Sequence, residues 1–472
     1  MAETSTLPLI GRQKIFTDVA EITAANISDI LKSAYLTHLV NQVEMEYLEK
    51  YHRGVQPILN RQKQIRPEIN NKTVINTAYE IVEFKSTYLF AKPMQYINKG
   101  TEAQALADLT ALKDDLDLNE KDSLDTELAE WRSKVGTAYR MSLPNANSDK
   151  DDEPKFNTYV LDPRNTFIVH RNDTAQTPVI AVKFVTKDDD TKIFSCYTAN
   201  NYYEITTKKP EKGNSEEFGT VKNLANPLGM LPIIEYPNNQ MRMSDIEFTI
   251  GLTDAINTVQ SDRVNGVAQF IQALLVVLGA RIDDESYNKL VAQGGQGLIA
   301  LPEGSNIKYL VENLDQASTQ TLADNMRQLV FEIQGMPNRQ AGASSTSDNV
   351  GAVQFRDGWW TADGRTKKSE KLFTKSERSW LKLVLRILRT KGGTTLKLAE
   401  IEIKYTTQSF GNIGQKAQAF NVLMSTQHVH PLTAWEICEL HSDVEQSYKL
   451  GQEYNESTKS QQGENLDEIK QS

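Results

Sequence analysis

Two long stretches of helical periodicity, about Ser244 to Leu275 and about Gln316 to Gln334, flank a segment with a different rhythm, Val276 to Glu312. At about 1.5 Å per residue the first helix is predicted to run on the order of 45 Å, more than a small globular core requires. Its start is well specified, because Ser244-Asp245-Ile246-Glu247 offers a capping hydroxyl and early carboxylates to the positive helix end. Its polar face, Asp254, Asn257, Gln260, Asp262, Arg263 and Asn265, is incompatible with a bilayer. The segment between the helices carries the turns Gly294-Gly295-Gln296-Gly297 and Pro302-Glu303-Gly304-Ser305 and reads as strand, helix and strands. Two helices around a small α/β insert make a hairpin with a separate tip, a geometry that suits a projecting stalk.

The rest of the chain divides around this hairpin. Residues 1 to 150 read as mostly helical, with Ile27, Ile30, Leu31, Ala34 and later Val74, Ile75, Ala78, Ile81, Val82 at helical spacing. Asn70-Asn71-Lys72-Thr73 is predicted to N-cap a helix ending near Lys92-Pro93, and a second helical stretch to run from about Glu102 to Met141. A polar linker, Asn145 to Pro154, marks a boundary. From Phe156 the period changes to two, and the runs Asn157–Leu161, Thr166–His170, Val179–Val185, Ile193–Tyr197 and Tyr202–Thr206 predict a small antiparallel sheet that Leu231 to Tyr236 closes. Beyond the hairpin come a loop at Asn338 to Asn349, a long helix at about Gly351 to Arg389, a strand at Lys397 to Tyr405, short helices to about Tyr454 and a polar, disordered tail. The fold class expected is α+β, mainly helical and multi-domain, as a 472-residue chain exceeds what one core usually organises.

Composition excludes several functions. No run approaches the roughly 18 apolar residues of a membrane span, and Glu3, Arg12 and Lys14 interrupt any secretory signal, so the chain is expected to stay in the cytoplasm where it is made. The two cysteines, Cys196 and Cys438, read as buried thiols. A net charge of −10 opposes tight, sequence-independent gripping of DNA, which depends on Lys and Arg displacing counterions. No P-loop, dinucleotide fingerprint or nucleophile motif occurs. His428-Val429-His430 with His441 lacks a confirming metal partner, while Asp114-Asp115 and Asp188-Asp189-Asp190 read as solvated charge. No enzyme, metal or cofactor is expected.

The order of short elements carries a resemblance over most of the chain. Tyr51-His52-Arg53-Gly54 is followed by Pro57-Ile58-Leu59-Asn60-Arg61, the Asn70-Asn71-Lys72 helix, and Leu231-Pro232-Ile233-Ile234-Glu235-Tyr236-Pro237-Asn238-Asn239 leading into Ser244-Asp245-Ile246-Glu247. Further on, Gly335-Met336-Pro337-Asn338 ends the second hairpin helix, and Ser347 to Val353 takes the place of a Ser-Gly-Val-Ala-Leu-like start of the long helix. Asn349 and the extra Ser and Thr before it depart from that pattern. In this order the chain resembles the SPP1-type portal proteins of long-tailed phages of Gram-positive bacteria.

The resemblance implies a wing, helical over 1–154 and β-rich over 155–240, with stem helices at 241–275 and 315–337 around a clip at 276–314. It further implies a channel loop at 338–352, a long channel or wing helix with its following strand at 353–410, a helical crown at 411–455 and a tail at 456–472. Such subunits form a ring, usually dodecameric, at a capsid vertex of the virion. DNA is packaged and ejected through the ring, and the partners implied are double-stranded DNA, terminase, a head-completion adaptor, and the major capsid and scaffolding proteins. The channel-loop candidates are Arg339, Gln340, Ser344, Ser345, Thr346, Ser347, Asp348 and Asn349. Candidates for contact with DNA or a neighbouring subunit are Arg356, Arg365, Lys367, Lys368, Lys371 and Lys375, and those for adaptor docking are Asp283, Asp284, Glu285, Lys289, Glu303 and Lys308. The competing readings are another phage head or connector protein, which should lack the hairpin with its insert, and a nuclease or packaging ATPase, whose motifs are missing.

Overall fold

The computed structural model describes residues 9–64, 67–90, 92–99, 102–148, 150, 152–207, 218–271, 274–278, 306–310, 316–337, 358–391, 393–405, 413–426, 429–438, 447–448 and 450–455. Of 274–278 and 306–310 it gives the backbone. The chain forms two compact units, one from 1–52, 79–248 and 334–472, the other from 53–78 and 249–333.

The first unit is built on two sheets. Strands β1 (Ile15–Thr17), β5 (Thr166–Arg171), β6 (Pro178–Thr186), β7 (Lys192–Tyr197), β8 (Asn201–Thr207) and β9 (Phe218–Ala225) lie in that order, with β1 parallel to β5 and the other pairs antiparallel. Helix α1 (Ile27–His52) lays Ile27, Ile30, Leu31, Ala34 and Tyr35 on Phe167, Phe184, Phe194 and Tyr203 of this sheet, as its apolar spacing predicts. The second sheet has the order β10 (Ile233–Pro237), β3 (Thr137–Pro144), β4 (Phe156–Leu161). Through Tyr139, Met141 and Ile233 it clusters with Ile168 and Ala181 of the first sheet. Ala138, Phe156 and Tyr236 instead join the core under helices α3 (Ala103–Leu118), α4 (Lys121–Val135) and α7 (Trp359–Thr390), against which Phe90, just after helix α2 (Thr77–Leu89), also packs.

Several expectations need correction. The helical stretch to Met141 breaks at Gly136, whose φ of 91° ends α4, and where a Cβ would sit 2.1 Å from the Arg242 carbonyl oxygen. Residues 137–142 are all buried, so strand β3 shows no alternation of apolar and polar residues and imitates a helical run. Leu231 to Tyr236 does not close the larger sheet; β10 pairs with β3, Ile233 opposite Met141 and Tyr236 opposite Ala138. The strand expected at 397–405 is confined to β13 (Ile401–Lys404), preceded by a 3-10 turn and paired with β2 (Gln95–Asn98). Asp115 is buried, accepting the Lys155 backbone N–H at 2.9 Å, whereas Asp114 is exposed. Cys196 and Cys438 are buried free thiols, as expected.

The second unit holds α5 (Ile250–Ile271), the antiparallel pair β11 (Leu274–Leu278) and β12 (Asn306–Leu310), and most of α6 (Gln316–Gln334). The expected helix to Leu275 stops earlier, because Leu274 already pairs with Leu310 in that β-ribbon. Asn70 to Thr73 caps no helix, since α2 starts only at Thr77. The segment runs instead as an extended strap along α5. Asn265 Oδ1 accepts from Asn71 N at 2.7 Å, Ser261 Oγ from Thr73 N at 2.9 Å and Asn257 Oδ1 from Ile75 N at 2.7 Å. Alternate amides of an extended chain recur about every 6.6 Å, and residues four apart on a helix about every 6.0 Å, so the two repeats match over two steps. Arg61 fastens the strap further, its Nη2 lying 2.6 Å from Asp262 Oδ1.

Three polar side chains thus substitute for a neighbouring strand, each bond contributing about 1 kcal/mol net. Replacing Asn257, Ser261 and Asn265 together by Ala is expected to accelerate hydrogen exchange at the amides of Asn71, Thr73 and Ile75 by roughly a hundredfold, leaving α7 amides unchanged. Unaltered protection of the three strap amides would show that other contacts hold the segment.

Candidate functional site

Helix α7, 32 residues and so about 48 Å long, is the longest described element, and its placement rests on buried charge. Glu377 lies on the apolar stripe with Phe373, Trp380 and Val384, where an unpaired carboxylate would be strongly unfavourable. It is fully satisfied. Arg140 Nη1 of β3 bonds Glu377 Oε2 at 3.0 Å, and Lys121 Nζ of α4 lies 3.2 Å from Oε1. The hydroxyls of Tyr96 and Tyr236 donate to the same two oxygens at 2.6 and 2.8 Å. Asp125 completes the set, taking Lys121 at 2.5 Å and also Arg140. Two cations face two carboxylates, so the buried group is neutral as a whole. Trp380 covers it, its indole N–H donating to Ser142 Oγ at 2.8 Å and its ring lying 4.8 Å from the Arg140 guanidinium. Burial opposes ionisation of Glu377, but Lys121, Arg140 and the two tyrosine hydroxyls outweigh it and hold the carboxyl below its usual range.

The same helix fixes the base of the segment 338–357. A Cβ on Gly358, the first described residue after the segment, would sit 3.9 Å from Pro337 Cα and from Met336 O, so the flanks of the segment meet. Both flanks turn through left-handed glycines, Gly335 at φ 64° and Gly358 at φ 84°. The Arg365 side chain occupies the space that a Cβ on Gly335 would need, 2.5 Å from Arg365 Cδ. Lys85 Nζ of α2 donates to Gln334 O at 2.5 Å, Gln334 Nε2 donates to Asp245 O at 2.6 Å, and Tyr88 bonds the Asp363 carboxylate. Trp359, half-buried, lies against Phe84 and Tyr88, centroids 6.5 and 6.0 Å apart, and anchors the helix start.

Of the expected site residues, Arg365, Lys367, Lys368, Lys371 and Lys375 are all exposed on α7. Arg356 and the loop candidates Arg339, Gln340, Ser344, Ser345, Thr346, Ser347, Asp348 and Asn349 lie outside the described residues. So do Asp283, Asp284, Glu285, Lys289 and Glu303; Lys308 falls on β12, where only the backbone is described. The network of Arg140, Lys121, Asp125 and Glu377 was not anticipated. The signal available was Glu377 itself, a carboxylate in register with Phe373 and Trp380 on the apolar face. Among the described residues, no cluster of three or more His, Cys, Asp or Glu side chains is placed to hold a metal, and no helix is long and apolar enough to cross a membrane.

The family model described as "Phage portal protein, SPP1 Gp6-like" matches residues 38–465, and the chain belongs to that family. It is a portal protein of the capsid vertex, in a family whose role is structural. No curated protein matches the chain in sequence. Among solved structures it is similar to a chain from the neck of an empty gene transfer agent (GTA) particle computed with C6 symmetry, at 12% identity and a TM-score of 0.43, covering 77% of this chain and 90% of that one. Chains from the virion of a native gene transfer agent particle and from the neck of a native particle computed with C12 symmetry are each 13% identical, with TM-scores of 0.42 and 0.41, each match covering 77% of this chain and 89% of the other.

Because the folded-state pKa of Glu377 is depressed, its contribution to stability is complete above the ordinary carboxyl range, about 4.3, and is lost as pH falls through the folded value. Removing one partner of such a buried set costs about 3 to 5 kcal/mol. Glu377→Gln is therefore expected to lower stability by that amount at pH 7 and to flatten the acid limb of the stability profile. Denaturant unfolding across pH 3 to 7 checks both, and a variant as stable as the parent would contradict the assignment.

Proposed function

We propose that copies of this chain assemble into a ring, dodecameric as is usual in the family, through which double-stranded DNA enters and leaves the capsid. The family match over 38–465 carries this reading. The net charge of −10 agrees with a conduit, since each phosphate neutralised by a cation adds affinity and so resists sliding. The segment 338–352 is the channel loop. Arg339 and Asp348 are its only charges, so its contact with a moving duplex is small and polar, and the meeting of Pro337 with Gly358 supports a loop projecting from a fixed base.

The parts follow the boundaries implied by the resemblance. Residues 1–154 and 155–240 form the wing, 241–275 and 315–337 the stem, 276–314 the clip, 353–410 the long helix with its strand, and 411–455 the crown. The pairing of β11 with β12 at the base of 279–305 supports a compact clip. That clip takes terminase during packaging and the head-completion adaptor afterwards, through Asp283, Asp284, Glu285, Lys289, Glu303 and Lys308. The ring assembles in the host cytoplasm with the scaffolding and major capsid proteins. ATP hydrolysis belongs to the motor docked on it.

Shortening 340–348 is expected to leave ring and prohead assembly intact while packaged DNA falls to background in an in vitro packaging assay; normal filling would remove the loop from the mechanism. Charge reversal at Asp283, Asp284 and Glu285 is expected to abolish co-purification of terminase with assembled rings. Unchanged recovery of terminase would place the docking surface elsewhere.

A further inference from the structure

Helix α7 carries cations along one side with no carboxylate among them. Lys371, Lys375, Arg378, Lys382, Arg386 and Arg389 are exposed and follow one another at steps of three or four residues, sharing one face over about 27 Å. Like charges at this spacing repel, each neighbouring pair by a few tenths of a kcal/mol, so the face is stabilised by whatever anionic surface lies along it. The carboxylates of α7 itself do not supply that surface. Glu377 is committed to Arg140 and Lys121, Asp363 accepts from Tyr88, and Glu370 is half-buried and acts on Lys367, which lies outside the row.

The same unit offers the matching charge. On α3, α4 and the turn between them the exposed side chains include Asp114, Asp117, Glu120, Asp122 and Glu127, with Lys113 the one exposed cation among them. On their inward faces Leu112, Leu116 and Leu128 share a core cluster with Trp380 and Val384 of α7. The three helices thus form one layer whose exposed faces have opposite sign, acidic on α3 and α4 and basic on α7.

We infer that this layer is the lateral contact between copies, the basic face of α7 in one subunit lying against the acidic α3 and α4 face of the next. The inference rests on the ring reading and adds to it the surfaces that close the ring. Rings are built from heterologous contacts, in which two different patches meet. A face of one sign cannot pair with itself across a twofold axis, whereas opposite patches on one subunit favour a head-to-tail neighbour and repel the symmetric dimer. The contact also accounts for a strongly basic helix in a chain of net charge −10, because its cations, of which Arg378 and Arg389 also donate to the carbonyls of Leu398 and Leu396, meet counter-charges on another copy.

Two charge-reversed full-length variants test this, Lys371→Glu/Lys375→Glu/Lys382→Glu and Asp114→Lys/Asp117→Lys/Glu127→Lys, together with the sextuple combination. Native mass spectrometry and sedimentation give the assembly state, and circular dichroism the fold. Rings are expected from the parent protein, in decreasing amount as salt rises; each triple variant should be folded yet below ring mass, and the sextuple variant should form rings again. Should a variant fail to fold, the parent's salt dependence still decides, and a ring fraction indifferent to salt counts against the contact. Rings from the parent and from both triple variants would overturn the inference while leaving the ring reading intact; no rings from the parent under any condition would remove the ring reading itself. Rings of the lysine variant that assemble normally but no longer retain a duplex DNA fragment held by parent rings would assign the face to DNA, and that too would overturn the proposal.

Discussion

The carboxylate of Glu377 lies where no water reaches it, and the placement of α7 depends on how that charge is met. Two cations from α4 and β3, two tyrosine hydroxyls and the covering Trp380 surround it, so that a helix, a sheet and a second helix share one neutral group. An apolar residue at 377 would pack against many rotations and translations of α7 at similar energy. A carboxylate that must meet Arg140, Lys121, Tyr96 and Tyr236 together is satisfied in a single register. In this protein the network's value is specificity of placement, the use for which buried ionic groups are best attested.

A fixed register for α7 has consequences at both its start and its surface. At the start, Asp363 and Arg365 reach Tyr88 and the space beside Gly335, which brings the two flanks of 338–357 together. On the surface, the same register turns a row of lysines and arginines outward, opposite in sign to the face of α3 and α4 beside it.

What the sequence disclosed follows from how each element is buried. Strands β4, β7 and β8 approach alternation, and β5 and β6 are short β-branched runs bounded by turns, so all were legible, as were α1, whose Ile27, Ile30, Leu31 and Ala34 all point inward, and the hairpin of α5 and α6. Strand β3 was not, because burial on both faces erases alternation. Strands β1 and β2 are three and four residues long and exist through partners far along the chain, Ile15 with Val169 and Asn98 with Ile401, so nothing local announces them, whereas β13 was read inside a longer alternating run. The strap failed differently: Asn and Thr before an apolar run suit a helix cap and a side-chain ladder equally well. At the site, the excess of basic residues over acidic ones marked the exposed lysines of α7, but the pairing of Arg140 with Glu377 spans 237 positions and is a product of the fold.

A portal ring needs identical copies standing side by side around an open axis. Electron microscopy of the purified full-length chain, with class averages viewed down that axis, addresses it directly. A closed ring with a central opening wide enough for a double helix is the predicted image, and a field of compact monomers at every concentration and salt examined would contradict it.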